Sequence, residues 1–208
     1  MVYKTKGEFI CKEIQQTDVV LDVGFFGQGV MKKNQNWVHA LLTKRASVVW
    51  GVDIDFDATF EYGENYVKAS AESFSIDKKF DVIFAGDLIE HLSNPGLFLN
   101  TSAKHIQPHG RLIITTPNCF NLFNITEKIS KGEPTVNHDH TCYFNSKTLK
   151  QLLEKNGWEV VSVGYIYSLD VEYVESLKKK LLNMLYWILS TFTDVYMETL
   201  VVIAQKKI

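Results

Sequence analysis

The stretch Val19-Val20-Leu21-Asp22-Val23-Gly24-Phe25-Phe26-Gly27-Gln28-Gly29 decides the fold. An apolar, β-branched run ends abruptly in a glycine-rich turn. Such a run suits a strand covered on both faces, as in a parallel sheet. Glycines just past a strand let backbone approach a ligand closely and offer it amide donors. In an open α/β sheet, ligands lie beyond the carboxyl ends of the strands, where strand order reverses. From Gly29 the chain runs 24 residues (53 − 29) to Asp53, which closes Gly51-Val52-Asp53 within a second apolar run, Val48 to Ile54. An acid there accepts both hydroxyls of a ribose, and the spacing is near the ~20 residues of a nucleotide-binding unit.

Working outward, further runs read as strands: Asn65 to Lys68, Phe80 to Ala85, Arg111 to Thr116, Trp158 to Ile166 and Thr199 to Gln205. Helical segments fall between them. Asn36 to Arg45 puts Trp37, Leu41 and Leu42 on one face. Leu97 to Ile106 follows Asn94-Pro95-Gly96. Lys147 to Asn156 begins after the capping pair Asn145-Ser146 and stops at Gly157. Strands alternating with helices predict right-handed crossovers and a doubly wound α/β sheet of seven strands. With no repeat or linker, residues 1–208 read as one domain, in which 171–196 is a helical insertion before the last strand.

The 208 residues carry 46% hydrophobic side chains, enough for a buried core, and a net charge of −2 from 22 basic and 24 acidic groups. That balance lacks the basic footprint of a nucleic-acid binder. Cys11, Cys119 and Cys142 are odd in number and widely spaced, which argues against a zinc motif or disulfide framework and for a reducing compartment. No stretch reaches the ~20 apolar residues of a membrane span, and the first residues lack a signal-peptide pattern. A soluble, cytoplasmic protein is expected.

Several motifs in order resemble the class I S-adenosylmethionine-dependent methyltransferase family, from about Asp18 to the C-terminus. VLDVGFFGQG resembles the family's first motif, and GVDID its second. KASAESFSIDKKFDVIFAGDLIEHLSNP is similar to the third and fourth, GRLIITTPN to the fifth strand and its exit, and HDHTCYFNSKTLKQLLEKNGW to the loop and helix that follow. The resemblance implies a Rossmann-like methyltransferase fold, mostly parallel with an antiparallel last strand. It implies S-adenosylmethionine as cofactor. Asp22, Gly24, Gly27 and Gly29 would surround its methionine part, and Asp53 its ribose. Ala71 and Glu72 would flank its adenine, and Ala85, Gly86, Asp87 and Leu88 would line its methionine end. Two positions depart from the pattern: Phe26 replaces the second glycine, and Ser70 stands where an acid is frequent. The expected activity is methyl transfer to a small-molecule acceptor. The altered glycine loop leaves open a domain that binds the cofactor without turnover.

A rival reading is a short-chain nicotinamide reductase, since Tyr143 and Lys147 match Y-x-x-x-K with Ser130 upstream. That chemistry needs both residues on one helical face, whereas Asn145-Ser146 reads as a helix start. Asp87, Glu90 and His91 form a D-x-x-E-H cluster, which by itself is not a closed metal-ligand set, so no metal is expected. His91 is a candidate general base, as are His138 and His140 of His138-Asp139-His140, where the acid can orient an imidazole. His39 is expected at the edge of the site. Leu181 to Phe192 is apolar nearly all round and follows three lysines. It is expected to pack on the sheet, with a lid or peripheral lipid contact as the alternative.

Overall fold

The computed structural model describes residues 1–26, 37–55, 64–167, 184, 188, 193 and 195–207. Elements follow in the order β1 (Val2–Tyr3), α1 (Lys6–Glu13), β2 (Val19–Val23), α2 (Val38–Arg45), β3 (Val48–Asp53), β4 (Tyr66–Lys68) and β5 (Phe80–Gly86). After a short 3-10 turn, Ile89–His91, come α3 (Pro95–His105), β6 (Ile106–Pro117), α4 (Leu122–Lys131), α5 (Ser146–Lys155), β7 (Trp158–Ile166) and β8 (Thr199–Lys206). Among the described residues these strands form one sheet in the order β1-β7-β8-β6-β5-β2-β3-β4. β8 lies antiparallel between β6 and β7, and the other pairings are parallel. The architecture is the doubly wound, Rossmann-like one expected. Its eighth strand, two residues long, is β1, which pairs Val2 with Tyr165. Two residues are too few to carry an alternating pattern in sequence.

Side chains alternate across the strands and build two cores. Leu21, Val23, Ile83, Ala85, Leu112 and Ile114 face one layer, with Phe98 and Leu99 of α3 and Leu149 and Leu153 of α5. Val20, Val82, Phe84 and Ile113 face the other, with Phe9 and Ile10 of α1 and Leu42 of α2. Helix α5 begins as its sequence dictates. The Asn145 side chain accepts from the Lys147 and Thr148 amides, and Thr148 closes a capping box. Gly157, at φ 80°, takes the left-handed turn beyond the helix end. Helices α1 and α4 were not anticipated. The apolar segment at 181–192 and most of the insertion at 171–196 lie outside the described residues, apart from Met184 and Ile188, which are helical with exposed side chains. Among the described residues no helix is long and apolar enough to cross a membrane.

The order reverses around β2. The chain leaves it for β3 and β4 on one side, then returns to β5 and β6 on the other. The carboxyl ends of β2, β3 and β5 therefore border the crevice where such sheets bind ligands. Packing beneath this edge is close at Gly51, where an added Cβ would meet the Phe25 and Tyr66 ring carbons at 2.7 Å each. Gly51→Ala is expected to destabilise the fold by about 1–3 kcal/mol through overpacking, read as a lower midpoint in urea at unchanged slope.

Candidate functional site

Two crossover ends meet at the crevice. After Val23 the chain turns at Gly24, φ 81°, whose N–H donates to the Val52 carbonyl at 2.7 Å. The Leu88 side chain packs over this glycine, 3.0 Å from where a Cβ would stand. Asp53 ends β3. Its Oδ2 accepts the Phe26 N–H at 2.9 Å and its Oδ1 the Asp55 N–H at 3.1 Å. A carboxylate has about four acceptor sites, so both oxygens keep a lone pair for hydroxyls. Asp22 is placed differently. It is 3% exposed, and its Oδ2 lies 2.9 Å from His39 Nδ1. Burial pushes its carboxyl up, and His39 opposes that. His39 thus lies under the crevice, 4% exposed, and not at its edge. Gly27 and Gly29 lie outside the described residues.

Next along the edge, the Ser70 hydroxyl accepts the Glu72 N–H at 3.2 Å, and Glu72 Oε1 accepts the Asn94 N–H at 2.7 Å. Ala71 packs against the core. Ala85 is fully buried, so what reaches the crevice from this strand begins at Gly86. Asp87 holds a left-handed backbone, φ 49°, uncommon for a residue with a side chain. Three contacts maintain it: its N–H donates to the Thr115 carbonyl at 2.9 Å, Thr115 Oγ1 donates to its Oδ1 at 3.2 Å, and Lys6 Nζ donates to its Oδ2 at 2.6 Å.

The polar cluster beside it was legible only in pieces. Glu90, on the turn after β5, is 2% exposed. Its Oε2 accepts the Thr116 hydroxyl at 2.9 Å, and its Oε1 is buried with no partner among the described residues. Burial first, then the charge of Asp87, raises its carboxyl to about 7. The Glu90 carbonyl accepts the Thr141 N–H at 2.8 Å and the Cys142 N–H at 3.2 Å, which anchors the 137–142 loop on this turn. His140 is thereby brought to His91, ring centroids 4.5 Å apart, edge to face. One ligand atom from each of Glu90, His91 and His140 lies within 4.8 Å of the others. His138 stays out, its side chain 89% exposed and 3.1 Å from Asp139. A carboxylate and two imidazoles make up the donor set of a divalent transition-metal site, and they equally suit proton transfer. Sequence spacing gave no sign that His91 and His140, 49 residues apart (140 − 91), would close this set. Tyr143 precedes the N-cap Asn145, so it shares no helical face with Lys147 and the reductase arrangement is absent.

Comparisons with known proteins bear on the family and the fold. A family model described as a methyltransferase domain matches residues 4–163. The ubiquinone biosynthesis O-methyltransferase of Rickettsia bellii is 28% identical over 193 residues, covering 80% of this chain and 77% of that protein. The protein of the same name from Rickettsia prowazekii is 29% identical over 134 residues, covering 56% and 53%. Among solved structures, a SAM-dependent methyltransferase from Archaeoglobus fulgidus superposes with a TM-score of 0.61 at 20% identity, covering 92% and 87%. The Burkholderia thailandensis 1,6-didemethyltoxoflavin-N1-methyltransferase, with bound S-adenosylhomocysteine, superposes at 0.57 and 19% identity, covering 93% and 72%. The lone pairs left on Asp53 and the close-approach turn at Gly24 fit the nucleoside and amino-acid ends of that class of cofactor. The chain belongs to the methyltransferase-domain family and is an S-adenosylmethionine-dependent methyltransferase.

Proposed function

We propose that the chain methylates a hydroxyl oxygen of a small-molecule acceptor, and that His140 takes the acceptor's proton. The observation that carries this reading is the convergence of Glu90, His91 and His140 beside the cofactor crevice. Burial, and then repulsion from His91, holds the His140 imidazole below its ordinary 6.5, against smaller opposing pulls from Asp87 and Asp139. A neutral imidazole at working pH accepts a proton. The preference for oxygen follows the Rickettsia relatives, named as O-methyltransferases of ubiquinone biosynthesis. The three free cysteines fit a reducing, cytoplasmic setting.

Bound S-adenosylmethionine supplies an activated methyl group on a sulfonium, open to in-line displacement. The protein's part is alignment, which contributes up to ~7–11 kcal/mol in favourable cases. Asp53 accepts the ribose hydroxyls. Ala71 and Glu72 flank the adenine. Gly24, Gly27, Gly29 and the segment Gly86 to Leu88 surround the methionine end, with Ala85 buried behind Gly86, and Asp22 supports the turn at Gly24 from below. His138, pointing to solvent, takes no part in the proton step.

A second reading is favoured by the unpaired Oε1 of Glu90. With His91 and His140 it would hold a divalent ion, which would lower the pKa of a bound hydroxyl so that its proton could pass to water without His140 as base.

Four outcomes are expected. Asp53→Ala loses two charge-assisted hydrogen bonds of roughly 1.5–3 kcal/mol each, seen by calorimetry with S-adenosylhomocysteine; unchanged affinity removes Asp53 from the site. On a panel of phenols, His140→Ala lowers turnover by roughly 10²–10⁴ and leaves cofactor affinity alone; normal turnover excludes the base. The acid limb of kcat/KM falls below the ordinary imidazole value of 6.5, because a lowered pKa keeps His140 in its proton-accepting form to lower pH. Turnover that survives exhaustive chelation supports His140 as the base, whereas loss restored by one added divalent ion supports the metal reading.

A further inference from the structure

Beneath the crevice, three neighbouring strands place Asp22, Gly51 and Tyr66 in one transverse row, since Asp22 pairs in register with Gly51 and Gly51 with Tyr66. The middle position has no side chain. The Phe25 and Tyr66 rings close over that gap, and His39 of α2 links the two ends of the row. Its Nδ1 is 2.9 Å from Asp22 Oδ2, and its Nε2 is 3.0 Å from the Tyr66 hydroxyl. With Asp22 as an acceptor-only carboxylate, Nδ1 carries the proton and Nε2 accepts from the phenol. The rings of Phe25 and Trp37 rest on the same imidazole, at 5.0 and 5.2 Å. Trp37 Nε1 also donates to the Phe25 carbonyl at 2.9 Å. Phe25 and Trp37 are therefore both tied to one histidine. The adjoining Phe26 N–H is bound by Asp53.

We propose that His39 is a positioning residue for cofactor binding, acting through Asp22 and the Phe25–Trp37 pair to hold the turn from Gly24 to Phe26 against Asp53. A buried acid–imidazole pair is weak evidence for stability, because desolvation offsets most of its attraction. An apolar pair of the same volume would hold the helix on the sheet as well. What the polar row adds is a fixed distance between the turn after β2 and the first turn of α2. Asp22 consequently serves the cofactor indirectly, since its carboxylate is engaged below the turn and only 3% of the residue is exposed.

The proposal rests on the cofactor assignment and not on the identity of the acceptor. It is tested by the affinity of the full chain for S-adenosylhomocysteine, measured by calorimetry beside the thermal midpoint. The Asn amide nitrogen coincides with His Nδ1, so His39→Asn keeps the bond to Asp22. The Gln amide nitrogen coincides with Nε2, so His39→Gln reaches Tyr66 and loses Asp22. We expect His39→Asn, which gives up the bond to Tyr66, to bind about fivefold more weakly than the unaltered chain, the effect of one neutral hydrogen bond, and His39→Gln about tenfold or more weakly, the effect of one charge-assisted hydrogen bond. A packing role predicts the opposite order, because Gln fills more of the ring's volume. Gln binding as well as Asn, or both binding like the unaltered chain, overturns the proposal. Tyr66→Phe keeps the ring and removes only the far hydroxyl, so it tests the row even if both His39 variants fail to fold. It is expected to weaken binding about fivefold, the effect of one neutral hydrogen bond, and unchanged affinity overturns the proposal. An unaltered chain that fails to bind S-adenosylhomocysteine overturns the cofactor assignment, and this proposal with it.

Discussion

Strand β2 has a parallel partner on each side: all five of its residues pair with β3, and four of them, Val20 to Val23, pair with β5. Its backbone donors and acceptors are thereby satisfied without water, which lets it be buried on both faces. Every feature of the crevice is measured from it. The turn at Gly24 is its exit, Asp53 stands at the end of one neighbour, and Gly86 and Asp87 stand at the end of the other. Because the chain departs from β2 in one direction and returns in the other, the two crossovers diverge and leave the carboxyl edge open.

Two acids are buried beside that edge and are treated in opposite ways. Asp22 has an imidazole against it and a phenol behind that imidazole, so its engaged oxygen is held in a chain of hydrogen bonds. Glu90 has one hydroxyl partner and one oxygen with none. A satisfied buried network rigidifies its surroundings, whereas a partly satisfied one is poised to gain a proton, a cation or a ligand group. The division matches the division of labour inferred for the site: geometry at the cofactor end and reactivity at the acceptor end.

The parallel strands were legible because burial on both faces writes itself as an apolar run, and α5 because Asn145 and Gly157 are local signals at its two ends. The pairs that give the site its chemistry were not. His39 meets Asp22 only through the βα crossover, and His140 meets His91 only because the Glu90 carbonyl anchors a distant loop. Such contacts depend on where elements dock, and no short-range pattern encodes that. Helix α4 was missed for a related reason. Its apolar positions include exposed Phe123 and Ile129, and its start is marked by a single Asn121 cap beside other asparagines. The eighth strand is a two-residue addition whose pairing with β7 is visible only in three dimensions.

The insertion of β8 between β6 and β7 affects how the molecule is made. Among the described residues, β7 and β1 join the rest of the sheet through β8, the last of the described strands. During synthesis the strands from β2 to β6 can pair as they emerge, since each adds to an edge already formed. The sheet cannot close until residues up to 206 have left the ribosome, and before then the side of β6 that β8 covers is an unpaired edge. Among the described strands the apolar run Leu200 to Ala204 emerges last, and its pairing with β6 on one side and β7 on the other joins the two parts of the sheet in one step.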